Sequence, residues 1–276
     1  MKATHKILLY DDYCPLCTWY SGLFVRWGLL DPANRVAFSK AELPILTAID
    51  IERGKDEIPL FDPATHQTQY GIDSLLEIIG QRIPFISKAG NFKPVKWILK
   101  KMYKLISCNR KVIVARRCGP GTFDCSPGFN FFYRILFMIL FLVFNSLMLF
   151  PLQAHVFNQL SFYHLRGLQL QTGHLVFAGA NCILAVFLDR RMAIEYLGQV
   201  NMLALISILL LSGLMLFTSF LLIPEWIIVS CLVVISLFIL KEYSRRMKYA
   251  GILVRKKAIA GVNIACLIIF LAYVFH

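Results

Sequence analysis

Two cysteines separated by two residues, Cys14 and Cys17, are the residues whose types and spacing could do chemistry. They follow a short apolar run, and Pro15 between them is typical of the first turn of a helix. Residues three apart lie on one face of a helix, so the two sulfurs can close a small disulfide. Free backbone N–H groups at a helix N-terminus stabilise a thiolate. The spacing therefore predicts thiol–disulfide exchange, with Cys14 attacking and Cys17 resolving the mixed disulfide.

The elements that must position this pair are short strands alternating with helical patterns, which predict an α/β layer structure over the first 110 residues. In order they are a strand at 6–10, a helix at 15–29, a strand at 35–39, a helix at 41–53, a hairpin of strands at 57–62 and 67–70, and a helix at 72–79. This order of β, α, β, α, β, β, α is that of a thioredoxin-like fold. It places the cysteine pair where the first strand meets the first helix.

Two further residues are candidates for this site. Asp11 could pass protons to and from the buried thiol of Cys17, or it could cap the helix that Cys14 opens. Pro59 lies 45 residues after Cys14, at the start of a predicted strand, where thioredoxin-like proteins place a cis-proline that faces the disulfide. It could equally be a proline on an edge strand.

A second pair, Cys118 and Cys125, flanks a Gly-Pro-Gly segment just before the first apolar stretch. It is either a second redox pair or two unrelated free thiols. If it is redox-active, it would exchange with Cys14 and Cys17 and carry reducing equivalents towards the membrane, where a quinone is a conjectural acceptor. Zinc bound by all four sulfurs is the remaining alternative, but it would remove the activation of Cys14. We therefore expect no metal and no cofactor other than the redox-active disulfide.

The segment LLYDDYCPLC, residues 8–17, resembles the signature of the DCC family of thiol-disulfide oxidoreductases. That family is named for an Asp-x-x-Cys-x-x-Cys motif, which matches Asp11, Cys14 and Cys17 here. Less specific similarity at 70–79 and 103–117 extends the resemblance over about the first 117 residues. The resemblance implies a thioredoxin-like fold and disulfide exchange, and it identifies no substrate.

One position departs from the family pattern, because Asp12 stands where the family usually has glycine. An additional carboxylate beside Cys14 is expected to raise the pKa of that thiol, since it disfavours the charged thiolate. Strongly oxidising behaviour is therefore not expected.

The composition indicates an integral membrane protein, with 58% hydrophobic and 16% charged residues and a mean hydropathy of +0.63. Residues 1–134 hold 19 of the 29 Lys and Arg residues and 12 of the 16 Asp and Glu residues. This split excludes a purely soluble enzyme and a secreted disulfide framework. We predict a domain at 1–117, a cysteine-containing linker at 118–131 and an all-α transmembrane domain at 132–276.

Five stretches of the second half are candidate membrane spans. They lie at about 132–152, 168–188, 197–223, 226–240 and 258–275. The fourth is short, so it is either half of a helical hairpin or re-entrant. Lys and Arg counts in the connecting loops alternate between low and high, which predicts a cytoplasmic N-terminal domain, an external C-terminus and an inner-membrane location.

A basic segment, residues 88–117, precedes the first span and contains ten Lys or Arg residues with no Asp or Glu. We interpret it as a segment that lies against anionic lipid headgroups. The alternative is an ordinary solvated helix, and nucleic acid is not expected because no base-reading motif is present.

These observations together predict a membrane-anchored thiol–disulfide oxidoreductase. Its substrate would be a disulfide-bearing protein or a small thiol, and a reducing cytosol favours the reductase direction. The alternative is a membrane scaffold in which the thioredoxin-like part is a docking module without catalytic function.

Overall fold

In the computed structural model, which describes residues 5–116, 127–221 and 223–275, a four-stranded mixed sheet organises a small N-terminal α/β region. The strands are β1 (Ile7–Tyr10), β2 (Arg35–Ala37), β3 (Pro59–Asp62) and β4 (Gln67–Tyr70). Their order in the sheet is β2-β1-β3-β4. Strand β1 runs parallel to β2 and antiparallel to β3, which forms a hairpin with β4.

The described part of this region has six α-helices. They are α1 (Pro15–Arg26), α2 (Leu43–Ala48), α3 (Ile51–Asp56), α4 (Ile72–Gly80), α5 (Pro84–Asn91) and α6 (Lys93–Val114). The single helix predicted at 41–53 is two helices, because Ile49 is extended and Asp50 caps a new helix by accepting a 3.0 Å hydrogen bond from the backbone N–H of Arg53.

Both faces of the sheet are buried. Leu8 and Leu60 pack with Phe24 and Ile78 on one face, while Leu9 packs with other apolar side chains on the opposite face. Successive strand residues point to opposite faces, which explains why Leu8 and Leu9 are both fully buried. Strand β1, which leads into the cysteine pair, is therefore held on both sides.

The second half of the chain is helical. Its helices are α7 (Phe131–His155), α8 (Gln169–Val186), α9 (Arg190–Phe220), α10 (Glu225–Tyr249), α11 (Ile252–Arg255) and α12 (Lys257–Phe275). The chain divides into two compact units, Met1–Tyr133 and Arg134–His276, so the first turn of α7 belongs to the N-terminal unit.

Within the described ranges, four segments are long and apolar enough to cross a membrane: Phe131–Gln159, Arg190–Phe220, Glu225–Tyr249 and Lys257–Phe275. The predicted span at 168–188 forms helix α8 but is not among them, because its first half carries Gln169, Gln171 and His174. The predicted short span at 226–240 lies in a helix of 25 residues, since α10 continues through its basic end.

Asparagine side chains connect the helices of the second unit. Oδ1 of Asn181 in α8 accepts hydrogen bonds from the hydroxyl of Tyr196 in α9 at 2.6 Å and from Nδ2 of Asn263 in α12 at 2.5 Å. Nδ2 of Asn201 in α9 donates to the backbone oxygen of Met138 in α7 at 3.0 Å. Buried amides thus bond between helices, as expected inside a membrane bundle.

Candidate redox site

Cys14 occupies the N-cap position of α1, immediately after the turn that follows β1. Its backbone is extended, with φ −95° and ψ 106°, and its N–H donates to the backbone oxygen of Asp11 at 3.2 Å. The backbone N–H of Cys17 donates to Sγ of Cys14 at 3.4 Å, so the sulfur takes the place of a capping oxygen. Both cysteines are free thiols, with exposed fractions of 6% for Cys14 and 4% for Cys17. Cys14 and Cys17 therefore lie at the start of α1, as their spacing and Pro15 predict.

Asp11 is buried and shapes the turn before Cys14. Its Oδ1 accepts a 3.0 Å hydrogen bond from the backbone N–H of Tyr13, and its Oδ2 lies 3.6 Å from Nη2 of Arg110. The interpretation of Asp11 as the helix cap is wrong, because Cys14 is the N-cap. Among the described residues, Oδ2 of Asp11 accepts no hydrogen bond. The role of Asp11 in proton transfer stays a prediction.

Arg110, from α6, connects Cys17 to the rest of the domain. Its Nη1 donates to Sγ of Cys17 at 3.5 Å, and its Nη2 donates to the backbone oxygen of Lys55 in α3 at 2.7 Å. The side chain is buried beside the Asp11 carboxylate. A permanent positive charge is thereby fixed next to the sulfurs.

The electrostatics of the site separate the two thiols. The pKa of Cys14 falls from 9.0 to about 6, chiefly because the Cys17 side chain donates a hydrogen bond to its sulfur. Burial opposes this shift, the Cys17 backbone N–H and the charge of Arg110 support it, and Asp11 opposes it. The pKa of Cys17 is raised by the same hydrogen bond to Cys14 and by burial. The hydrogen bond between the two side chains therefore favours the thiolate at Cys14 and the thiol at Cys17.

The expectation that Asp12 raises the pKa of Cys14 is wrong. Oδ2 of Asp12 accepts a hydrogen bond from the Ser39 hydroxyl at 2.8 Å, and the carboxylate that raises the pKa of Cys14 is Asp11. Hydrogen bonds and Arg110 outweigh that carboxylate, so the pKa of Cys14 is lowered overall.

Pro59 does not have the predicted cis peptide bond, since all peptide bonds of the described residues are trans. It is not on an edge strand either, because β3 lies between β1 and β4. Pro59 is the first residue of β3, opposite Tyr70, while the ladder to β1 begins at Leu60. A missing N–H at this position interrupts no hydrogen bond of that ladder.

Helix α6 supplies residues that the sequence did not reveal. The Tyr103 hydroxyl accepts a hydrogen bond from the backbone N–H of Ile58 at 2.9 Å, and the Ser107 hydroxyl donates to the backbone oxygen of Asp56. With Arg110 they occupy positions i, i+4 and i+7, which share one face of a helix. Polar side chains at this spacing within a basic run are the sequence signal that could have indicated the buried face of α6.

The second cysteine pair, Cys118 and Cys125, lies outside the described residues, and so does any zinc site that would use it. Within the described ranges, no group of three or more His, Cys, Asp or Glu side chains could hold a metal ion. The cysteine pair at the start of α1 is the candidate redox site among the described residues.

No family model, curated protein or solved structure matches this chain. The resemblance to the DCC signature therefore depends on the motif residues themselves. Among its described residues, the chain has a CxxC pair in a small α/β region, followed by four long apolar helices.

Proposed function

We propose that this protein is a membrane-anchored thiol–disulfide oxidoreductase that reduces disulfides of a protein or small-molecule substrate. The observation that carries the proposal is the N-cap position of Cys14, where the sulfur accepts the Cys17 backbone N–H and where Arg110 lies beside Cys17. A thiolate with a pKa near 6 is abundant at neutral pH, and thiolate is the attacking species in exchange.

The first step is attack of the Cys14 thiolate on one sulfur of the substrate disulfide. The substrate S–S bond breaks, a mixed disulfide forms at Cys14, and the released substrate sulfur leaves as a thiolate that takes a proton from water. In the second step the Cys17 thiol transfers its proton to the Asp11 carboxylate and attacks Sγ of Cys14. The second substrate sulfur leaves, so the substrate gains two electrons and the Cys14–Cys17 pair becomes a disulfide. A thiol reductant then restores the reduced pair.

Arg110 assists the second step. Its guanidinium hydrogen-bonds Sγ of Cys17, so it stabilises the negative charge that develops when that thiol loses its proton. It also balances the Asp11 carboxylate while that group is ionised. Arg110 positions and stabilises the resolving sulfur, and Cys14 and Cys17 exchange covalent bonds.

We further assign a thioredoxin-like fold and the DCC family to the N-terminal region. The observed order of elements, with the second helix divided into α2 and α3, supports the fold, and Asp11, Cys14 and Cys17 support the family. Substrate identity does not follow from either assignment.

For the membrane half we propose five crossings, with α8 as the second. Arg134, near the start of α7, pairs with Glu195 in α9. Met138, one turn later in α7, contacts Asn201, which is also later in α9. The two helices therefore run parallel. The chain must therefore return between them, and α8 with 18 residues is about 27 Å long. With the basic loops inside, this arrangement gives a cytoplasmic redox domain and an external C-terminus in the inner membrane.

Turnover of a disulfide substrate tests the proposed function. The full chain in detergent micelles should catalyse reduction of insulin disulfides by dithiothreitol, and Cys14→Ser and Cys17→Ser should each abolish the catalysed rate. Unchanged catalysis in Cys14→Ser would contradict the proposal. A wild-type chain without activity, whose cellular role survives loss of both cysteines, would favour the membrane scaffold.

A further inference from the structure

One face of α6 carries large apolar side chains that are open to solvent. We call this face the apolar row; it comprises Val95, Ile98, Met102 and Ile106. Their exposed fractions lie between 38 and 54%. They recur every three or four residues, so they line one side of the helix, whereas Tyr103 and Arg110 face the domain interior. An exposed continuous face of this kind marks an interaction surface.

The exposed side of α6 away from the apolar row carries lysines together with Trp97. Lys96 and Lys100 pair with Asp73 at 2.6 and 3.0 Å, and three other lysines, Lys93, Lys101 and Lys104, are exposed. The segment 88–117 contains no acidic residue. A helix with an apolar face and a cationic face matches the surface of an anionic bilayer, where the apolar side enters the headgroup region and the cations meet phosphates.

The C-terminal half of α6 lies beside the beginning of the first candidate span. Nδ2 of Asn109 donates to the backbone oxygen of Tyr133 at 3.0 Å, and Nζ of Lys104 lies 5.8 Å from the Tyr133 ring centroid. Tyr133 is the third residue of α7 and belongs to the same compact unit as α6. Because a span enters the bilayer near its first turns, these contacts bring α6 to the level of the lipid headgroups.

We propose that α6 is an interfacial helix whose apolar row inserts into the anionic leaflet at which α7 begins. The depth expected for such a helix is about 5–10 Å below the phosphates. This surface is independent of the cysteine chemistry, so it stands or falls separately from the proposed function.

The test is fluorescence quenching by brominated lipid in nanodiscs that contain the full chain. The discs are made of phosphatidylcholine and phosphatidylglycerol, and the emission of the four native tryptophans is subtracted. Met102→Trp probes the apolar row, with Ile98→Trp as a second probe. Lys100→Trp is the matched control, because Met102 is 54% exposed, the Lys100 side chain is 53% exposed, and the two residues face opposite sides of α6.

Lipid with brominated acyl chains should quench the emission added by Met102→Trp and by Ile98→Trp by about half, as expected for a shallowly inserted ring. The emission added by Lys100→Trp should change much less. Replacing Lys93, Lys101 and Lys104 by Gln, or omitting phosphatidylglycerol, should weaken the quenching.

Equal quenching of the probes and the control would overturn the proposal. A lack of quenching in both probes would also overturn the proposal. This outcome includes the case in which mass photometry shows that a second copy of the chain covers the apolar row.

Discussion

Nη1 of Arg110 donates a hydrogen bond to Sγ of Cys17 at 3.5 Å, although 93 residues separate them in the chain. The same guanidinium holds the backbone oxygen of Lys55 at 2.7 Å and lies 3.6 Å from Asp11. Since arginine stays protonated at any pH compatible with folding, this charge is present in every state of the thiols. Helix α6 therefore completes the electrostatics of a site whose sulfurs belong to α1.

The thiol of Cys14 should titrate with a midpoint near pH 6 in the reduced protein. Lowering the pKa of an acid leaves it ionised above that value, so alkylation by iodoacetamide should be constant above about pH 7 and fall as the pH drops through 6. Mass spectrometry of Cys14 at each pH gives the curve. A midpoint close to 9, the ordinary thiol value, would contradict the geometry.

Cys17→Ala should move that midpoint upwards, because the Cys17 side chain is the chief donor to the Cys14 sulfur. Cys17→Ser keeps a donor at the same position and should move it less. The predicted order of the three alkylation midpoints is wild type lowest, Cys17→Ser intermediate and Cys17→Ala highest. Equal midpoints for the Ser and Ala variants would show that the side-chain hydrogen bond does not control this pKa.

Arg110→Gln should raise the Cys14 midpoint and slow release of the substrate sulfur from the mixed disulfide. We expect about a tenfold loss in the resolution rate, equivalent to ~1.4 kcal/mol. Arg110→Lys should retain part of the rate, since it keeps the charge and loses the planar fork. Stopped-flow release of a chromophoric thiol measures the rate, and Lys101→Gln is the control for an exposed cation on the same helix.

Asp11→Asn should have opposite effects on the two steps. Removing the carboxylate lowers the pKa of Cys14, which Asp11 raises, and also removes the proposed proton acceptor of Cys17. The alkylation midpoint should fall while resolution slows. Asp12→Asn is the control, because Asp12 binds Ser39, and it should change neither quantity appreciably. Unchanged resolution in Asp11→Asn would remove Asp11 from the proton path.

Gly71→Ala should destabilise the N-terminal region by about 1–3 kcal/mol. Gly71 has φ 60° and ψ −126°, a conformation reserved for glycine, and a Cβ there would lie 3.2 Å from the Tyr103 ring. Gly22→Ala in α1 is the control, since a Cβ meets no atom within 4 Å and should stabilise the helix by about 0.5–1 kcal/mol. Urea midpoints from pulse proteolysis compare them, and equal midpoints would contradict the assigned backbone conformation.

The sequence predicts the part of the site that is local. A strand, a proline at the first helical turn and cysteines three apart suffice to place Cys14 and Cys17 on α1. Arg110 could not be selected among ten cations of segment 88–117, because its burial depends on contacts with α3 and with the β1–α1 turn. The isomer at Pro59 likewise depends on how β3 enters the sheet, which no local pattern determines.

The most direct test of disulfide exchange is to trap the covalent intermediate. Cys17→Ser, incubated as the full chain in native membranes and quenched with acid, should accumulate a mixed disulfide at Cys14 that dithiothreitol releases and mass spectrometry identifies. The wild-type chain should accumulate far less, since Cys17 resolves it, and Cys14→Ser should form none at Cys17. Equal adducts in the Cys14→Ser and Cys17→Ser variants, or adducts in neither, would contradict the assignment of Cys14 as the attacking thiolate.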